Sequence, residues 1–245
     1  MTTFGSRVSR FLRILILAGA TVAPTGVFAA TFTTDFEVDR CTFSATGRHN
    51  PYFSLKPGDR STLAGEEDGE AVELVITVTN RFKVITFVTP DGATKRVRAR
   101  VIEERETHDG DLVEVSRNWF ARCVETNDVF YFGEDVDLYE DGQVTGHGGS
   151  WEAGKSGAQP GIVIPARFLL GSRYFQEQAL PVAADRSEHV GMRLDVTAAG
   201  RTFHHCVSVT ETSPLEPGQE ESKVYCPGVG LVKDDTLTLS DFDRP

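Results

Sequence analysis

Short runs in which apolar residues occupy every second position are the feature that most constrains this chain. Residues 72–78 and 97–101 show this pattern clearly. A period of two is typical of a half-buried β-strand, because successive side chains point to opposite faces of a sheet. Turn signals such as Asp109-Gly110 and Glu140-Asp141-Gly142 separate such runs and favour hairpins between neighbouring strands.

The remaining pattern extends this prediction over most of the chain. Helical periodicity is weak beyond the N-terminal region, and further strands are predicted at about 129–138, 188–197, 201–212, 219–226 and 236–242. We therefore predict an all-β fold, an antiparallel meander that forms a curved sheet, a partial barrel or a sandwich.

Residues 50–245 are predicted to form one β domain, or two halves joined by residues 146–171. That segment is rich in Gly, Ala and Pro, and we interpret it as a long connection across the sheet or its mouth. Loops of this length inside compact domains are often functional, and they are also often simple crossovers. The sequence leaves both readings of the segment open.

The N-terminus is predicted to be a cleaved signal peptide of residues 1–29. Arg7, Arg10 and Arg13 form a basic region, a ten-residue apolar run follows at 14–23, and Val27-Phe28-Ala29 fits a cleavage site. A membrane span needs roughly 20 apolar residues, so we expect no membrane span in the mature chain. Residues 30–49 then form an N-terminal arm, and the protein is expected to be periplasmic or secreted.

Charge excludes one class of partner. Removal of residues 1–29 leaves 22 Lys and Arg against 36 Asp and Glu, a net charge of −14. Such a chain repels phosphate backbones, so nucleic acid is not expected as a partner. The acidic residues are spread along the chain, which favours a solvated surface.

Four cysteines, Cys41, Cys123, Cys206 and Cys226, suit an exported protein that meets oxidising conditions. Four cysteines allow three connectivities, and local geometry favours one. A turn centred near Glu216 would place Cys206 directly opposite Cys226 in an antiparallel pair, within disulfide reach. Cys41 would then pair with Cys123 and tie the N-terminal arm to the domain.

Four phrases carry a resemblance to a known family: Asn-Pro-Tyr-Phe-Ser-Leu-Lys-Pro-Gly at 50–58, Tyr-Phe-Gly-Glu-Asp-Val at 131–136, Gly-Ser-Trp-Glu-Ala-Gly at 149–154 and Cys-Pro-Gly-Val-Gly-Leu-Val at 226–232. Together they resemble a family of uncharacterised exported bacterial proteins, the TapB-like envelope proteins of unknown function, over roughly Asn50 to Lys233. The resemblance implies export and a β-rich curved sheet, with no established reaction or cofactor. The chain departs from the family pattern at Arg60-Ser61-Thr62-Leu63, where Trp-x-Tyr is expected, and at Cys226, where a small residue is expected.

Aromatic residues suggest a binding groove. Tyr52, Phe53, Trp119 and Trp151 are the residues that we predict to contact a ligand, on the concave side of the sheet. Other aromatic side chains could join them there, namely Phe120, Phe130, Phe132, Tyr174 and Phe175. Such a groove would suit a lipid or a peptide. The alternative is that these large side chains fill an ordinary core.

No catalytic or metal site is predicted. The chain lacks Gly-x-Ser-x-Gly, a phosphate-binding loop and His-Glu-x-x-His. His147, Ser150 and Glu152 lie in one Gly-rich loop, and sequence proximity alone does not make a triad. His204-His205-Cys206 could hold a metal only with a free thiolate. The acidic run from Glu134 to Asp141 lacks calcium-loop spacing and is interpreted as a solvated hairpin.

These features predict an exported non-catalytic protein that needs no cofactor. It would bind a small apolar ligand, or a segment of an envelope protein partner captured at a sheet edge. One alternative is a secreted hydrolase that uses paired carboxylates in the same concavity, and another is a structural surface protein without a small ligand. An apolar groove would favour binding, converging carboxylates with separated pKa values would favour hydrolysis, and a filled interior would favour the structural role.

Overall fold

A computed structural model describes residues 31–245, so the predicted signal peptide lies outside the described residues. The all-β prediction is confirmed: the described chain contains one 3₁₀ turn, Val38–Arg40, and sixteen antiparallel strands in one sheet. No helix in this part of the chain is long and apolar enough to cross a membrane. The strands are β1 Phe43–Ser44, β2 Arg60–Glu67, β3 Glu70–Val88, β4 Thr94–His108, β5 Asp111–Cys123, β6 Val129–Glu140, β7 Gln143–Gly146, β8 Trp151–Glu152, β9 Gln159–Ile164, β10 Arg173–Phe175, β11 Glu177–Gln178, β12 Arg186–Ala198, β13 Arg201–Thr212, β14 Glu221–Cys226, β15 Gly230–Asp234 and β16 Leu237–Asp243.

Two meanders make up the sheet. Strands β2 to β6 pair in chain order, and so do β12 to β16, while β16 pairs with β2 and joins the two sets. The predicted meander is therefore present, and the sheet runs without interruption through chain segments on both sides of residues 146–171. Within those residues, β8 and β9 both pair with β6.

A single stretch of chain, residues 173–178, brings the two ends of the sheet together. Strand β10 pairs with β12, and β11 pairs with β9 at the other end of the sheet. Gly161 on β9 allows this approach, because a Cβ there would collide with the backbone carbonyls of Phe175 and Gln176. The sheet is consequently curled until it nearly closes on itself.

Both predicted disulfides are present. Cys41 and Cys123 have Cα atoms 5.1 Å apart, and Cys206 and Cys226 have Cα atoms 4.2 Å apart. The neighbouring register pair of Val207 with Tyr225 places Cys206 opposite Cys226, as the turn position predicts. The first bridge fastens the N-terminal arm to the end of β5.

Three apolar clusters stabilise the curled sheet. The arm cluster packs Val38 and Cys41 against β4, β5 and β6. The hairpin cluster packs the tip of the β12–β13 hairpin, with Ala198, against strands β2, β3, β15 and β16. The third cluster lies inside the curl and includes Val78, Ile102 and Phe120. This third cluster forms the base of the candidate site.

Candidate functional site

A cavity of about 290 Å³ lies inside the curled sheet. Side chains from β2 to β6 and from β13 to β15 line it, together with residues 52–54. Gln176 and Glu177 from the stretch that closes the sheet also line it, as do Ala183 and Asp185 shortly after that stretch. A volume near the lower end of the range for ligand pockets suits a small molecule. The cavity therefore exists because residues 173–178 bring the ends of the sheet together.

The cavity has two chemically distinct parts. The apolar floor consists of Tyr52, Phe53, Val78, Ile102, Phe120 and Leu231, and the acidic wall consists of Glu104, Glu114, Glu134, Glu177, Asp185, Glu211 and Asp234. On β4 the inward positions change from Ile102 to Glu104, two residues apart on one face. On β13 the same change occurs between Val209 and Glu211.

Lys223 on β14 is the cation that faces the acidic wall in the described chain. Its Nζ lies 2.9 Å from the Glu211 carboxylate and 3.7 Å from the Asp234 carboxylate. Gln176 donates a second hydrogen bond to Glu211, with Nε2 and Oε1 2.6 Å apart. Burial alone would lower the pKa of Lys223, but the neighbouring carboxylates raise it well above its ordinary value. Lys223 is therefore charged whenever the carboxylates around it are ionised.

The acidic wall holds protons at neutral pH. Burial is the main cause that raises the pKa of Glu104 to about 7, of Glu114 to about 7 and of Glu134 to about 8. Burial also raises the pKa of Asp234 to about 6 and that of Glu177 well above its ordinary value. Repulsion between neighbouring carboxylates adds to each shift. The cavity consequently carries less negative charge at neutral pH than its carboxylates could supply.

Tyr225 places an unpartnered hydroxyl at the cavity. Its side chain is 5% exposed and lines the cavity, and its hydroxyl makes no hydrogen bond within residues 31–245. Tyr131, by contrast, donates to Asn118 Oδ1 at 2.6 Å and stacks on Phe120. Buried tyrosine hydroxyls usually have a partner, so the Tyr225 hydroxyl is available to a bound molecule.

Asp59 and two arginines form a separate group at another part of the cavity lining. Asp59 is 1% exposed and accepts hydrogen bonds from Arg48 and Ser54. Arg244 lies 3.8 Å from the same carboxylate, and these partners lower the pKa of Asp59 despite its burial. This carboxylate is satisfied by protein groups and is not available to a ligand.

The structure divides the four predicted ligand contacts between two places. Tyr52 and Phe53 line the cavity floor, and Phe53 packs edge-on against Phe120. Trp119 and Trp151 are 2% and 7% exposed and belong to the arm cluster. They also line a separate cleft together with Ala179, Leu180, Pro181 and Val182. The four side chains are therefore not brought together in one groove.

The loop that contains His147 and Ser150 fastens itself to β6. The Ser150 hydroxyl accepts a hydrogen bond from the Val136 amide at 2.9 Å, and His147 Nδ1 lies 3.0 Å from the Asp137 carboxylate. Neither contact joins the serine to the histidine. These residues hold the loop in place and do not form a catalytic triad.

Within residues 31–245, metal-binding residue types do not converge outside the disulfides. Cys206 is bonded to Cys226, so it offers no thiolate, and His204 pairs with Asp195 at 2.9 Å. Among the described residues, the one set of three such side chains with ligand atoms within 4.8 Å is Cys41, Cys123 and Glu125. The two sulfurs of that set form a disulfide, which leaves a single carboxylate.

Sequence reasoning missed most of the acidic wall. Two residues of the acidic run 134–141 lie as a solvated hairpin predicts: Asp135 is exposed, and Asp137 forms an ion pair with Arg117 at 2.7 Å. Glu134, in contrast, faces the cavity. The sequence did contain a signal for these carboxylates: they occupy the same alternate positions along a strand as the buried apolar residues. Glu104 and Glu211 continue the inward positions of apolar strands, where a carboxylate on the buried face is unusual.

No family model, curated protein or solved structure matches this chain, so no relative indicates an enzymatic activity.

Proposed function

We propose that this protein is an exported, non-catalytic binding protein that carries a small ligand inside the curled sheet. The observation that carries the proposal is a cavity of about 290 Å³ that combines an apolar floor with the unpartnered hydroxyl of Tyr225. The cavity joins this apolar floor to an acidic wall, and apolar surface combined with convergent polar groups is typical of ligand pockets. The ligand would rest an apolar body on Tyr52, Phe53 and Phe120.

Export is supported by three features. The N-terminal pattern fits a signal peptide, two disulfides suit an oxidising compartment, and the four phrases resemble the TapB-like envelope proteins. We propose a periplasmic or secreted location on this basis. A partner segment added at a sheet edge is less well supported, because the two end strands, β10 and β11, have only three and two residues and offer little backbone for pairing.

A carboxylate-dependent hydrolase is the second candidate. It is favoured by Glu104 and Glu134, which face one cavity with pKa values of about 7 and about 8. Paired-carboxylate catalysis also needs an ionised partner with an ordinary or lowered pKa. Asp59 has a lowered pKa, but Arg48 and Ser54 occupy its oxygens. Ligand binding therefore has the better support.

Native mass spectrometry of mature protein from an exporting host tests the binding proposal. We expect an excess mass under native conditions that disappears on denaturation, together with a mass four hydrogens below that of the reduced chain. Tyr225→Phe should lower the retained fraction, since it removes the free hydroxyl and keeps the ring. Tyr139→Phe on β6, outside the cavity lining, is the matched control. The absence of any excess mass, together with no rise in melting temperature when amine, alcohol or carboxylate probes are added, would contradict the proposal.

A further inference from the structure

The acidic wall contains more carboxyl groups than the protein's own cations pair with. In the described chain, no Lys, Arg or His side chain lies within ion-pair distance of Glu104, Glu114 or Glu134. Lys223 forms ion pairs with Glu211 and Asp234. Arg244 lies beside Asp59 rather than beside the acidic wall. The carboxyl groups that β4, β5 and β6 contribute therefore have no directly paired cation in the described chain, and Lys223 acts on Glu104 only through its longer-range charge.

Burial without a counter-charge is costly for a carboxylate. Glu104, Glu114 and Glu134 respond by holding protons, as their raised pKa values indicate. A cation in the cavity would supply the missing charge and favour the ionised forms. An anionic ligand would meet repulsion from the same groups, so the wall selects for positive charge.

The spacing of the carboxylates does not suit a bare metal ion. Calcium needs six to eight oxygen ligands at about 2.3–2.6 Å, so the ligand atoms must lie close together. No three carboxylates of the acidic wall have ligand atoms within 4.8 Å of one another. A ligand that satisfies this wall must therefore carry charges at separate points along its length.

The apolar floor and Tyr225 offer further contacts to a ligand that carries separated positive charges. Tyr52, Phe53 and Phe120 present aromatic surface to the cavity, against which methylene groups can pack and over which an ammonium group can rest. The hydroxyl of Tyr225 can accept a hydrogen bond from an amine N–H. An apolar body joined to amines fits both parts of the cavity.

We propose that the cavity binds a small linear diamine or polyamine, with its ammonium groups on the acidic wall and its methylene chain on the apolar floor. This inference rests on the proposed binding function and names the ligand class for that site. The amines remain protonated across the neutral range, because an unperturbed alkylamine has a pKa of about 10.4.

Binding of a cation should release protons and strengthen as the pH rises. The titratable and charged groups that line the cavity are Tyr52, Asp59, Arg60 of β2, Glu104 of β4, Glu114 of β5, Tyr131 and Glu134 of β6, Glu177 of β11, Asp185, Glu211 of β13, Lys223 and Tyr225 of β14, Asp234 of β15, and Arg244. Between pH 5.5 and pH 8 the carboxylates with raised pKa values lose protons, while Lys223 keeps its charge. The cavity thus becomes more negative over that interval.

Isothermal titration calorimetry of mature protein freed of bound ligand tests the proposal. The probes are 1,4-diaminobutane and spermidine, with 1,4-butanediol, succinate and calcium chloride as comparisons. We expect one amine per cavity at pH 7.5, binding at least 10-fold weaker at pH 5.5, and no binding of butanediol or succinate. Unequal heats in buffers of different ionisation enthalpy should show proton release.

Matched variants locate the binding. The double variant Glu104→Gln, Glu134→Gln should weaken amine binding at least 10-fold at pH 7.5, and Glu134→Gln alone provides a milder change if the double variant folds poorly. Glu73→Gln alters one exposed carboxylate of β3 and should leave binding unchanged. Equal effects of the cavity and surface variants would place the amine on the acidic surface and overturn the inference.

Other outcomes separate this inference from the function on which it rests. If a neutral or anionic probe binds in a Tyr225-dependent manner and the amines do not, the amine class is wrong and the binding function stands. Calcium binding that is tighter than amine binding and equally sensitive to Glu134→Gln would also overturn the amine class. If no probe binds and no native excess mass exists, both proposals fail.

Discussion

Lys223 and Glu211 form an ion pair on the inner wall of the sheet, with Nζ and Oε2 2.9 Å apart. They are diagonal neighbours, because the register pairs are Val209 with Lys223 and Glu211 with Glu221. Their side chains therefore meet inside the cavity rather than across the outer surface. The pair places one fixed positive charge within an otherwise acidic wall.

Replacement of Lys223 tests how strongly the wall depends on that charge. Lys223→Met should destabilise the protein by about 2 kcal/mol at pH 8.5, because it leaves Glu211 and Asp234 without their cation. The loss should be smaller at pH 5.5, where more of the wall is protonated. Urea unfolding at both pH values measures it, and Lys233→Met, an exposed change on β15, is the control. Equal stability of Lys223→Met and the unaltered protein at pH 8.5 would contradict the expectation.

Stability of the empty protein should fall as the pH rises. Glu104, Glu114 and Glu134 have folded-state pKa values of about 7 to 8, above their ordinary value of 4.5. Between pH 5 and pH 8 the folded state therefore binds more protons than the unfolded state, and the free energy of unfolding decreases with pH. We expect the melting temperature to drop by about 5 °C from pH 5.5 to pH 8.5.

The double variant Glu104→Gln, Glu134→Gln should flatten that pH profile, since glutamine does not titrate. Melting curves of ligand-free protein at several pH values provide the comparison. A melting temperature that rises over the same interval would show that other groups dominate the pH dependence.

Gly161 is expected to be essential for closing the sheet. Gly161→Ala would drive a methyl group into the carbonyls of Phe175 and Gln176, which should loosen β10 and β11. Faster hydrogen exchange at residues 173–178 would report this change. In Gly146→Ala, the new Cβ would lie 3.5 Å from Leu138 Cδ1, an ordinary contact, and exchange should stay unchanged. Unaltered exchange in Gly161→Ala would show that the backbone can yield there.

The two disulfides should differ in their contribution to stability. Cys41 and Cys123 are 82 residues apart, and Cys206 and Cys226 are 20 apart. The chain-entropy relation gives about 4.5 kcal/mol for the longer loop and about 3.3 kcal/mol for the shorter one. Denaturant unfolding of the paired Cys→Ser variants should show this order. A larger loss from removal of the shorter loop would point to packing of the β13–β14 pair as the dominant contribution.

Trp151 should behave as a core residue. It is 7% exposed and packs edge-on against Tyr131 within the arm-cluster region, so Trp151→Ala should destabilise the fold by about 3 kcal/mol. Trp151→Phe, which retains most of the apolar area, should cost less. Thermal unfolding distinguishes the two variants. If Trp151→Ala leaves stability unchanged while it removes the native excess mass, Trp151 contacts the ligand instead.

The strand pattern and the Cys206–Cys226 bridge were predictable because both depend on local spacing, and the pairing of Cys41 with Cys123 followed as the remaining pair. Alternation at 72–78 needs no knowledge of the rest of the fold, and the position of Glu216 sets which cysteines face each other. The sequence did not predict that Tyr52 would line the cavity while Trp151 would lie in the arm cluster. Which of two apolar faces points inward depends on how the sheet curls, and periodicity alone does not contain that information.

The sequence by itself determined the all-β class, the meander order of neighbouring strands and the Cys206–Cys226 bridge, because turn residues and period-two patterns act over short distances. The Cys41–Cys123 bridge followed only as the remaining pair. Only the tertiary structure decided that residues 173–178 join the sheet ends and that distant carboxylates share one wall. Glu104 and Lys223 lie 119 positions apart in the chain, yet the positive charge of Lys223 acts to lower the pKa of Glu104. Such proximity arises from closure of the curl, which depends on contacts between residues far apart in sequence.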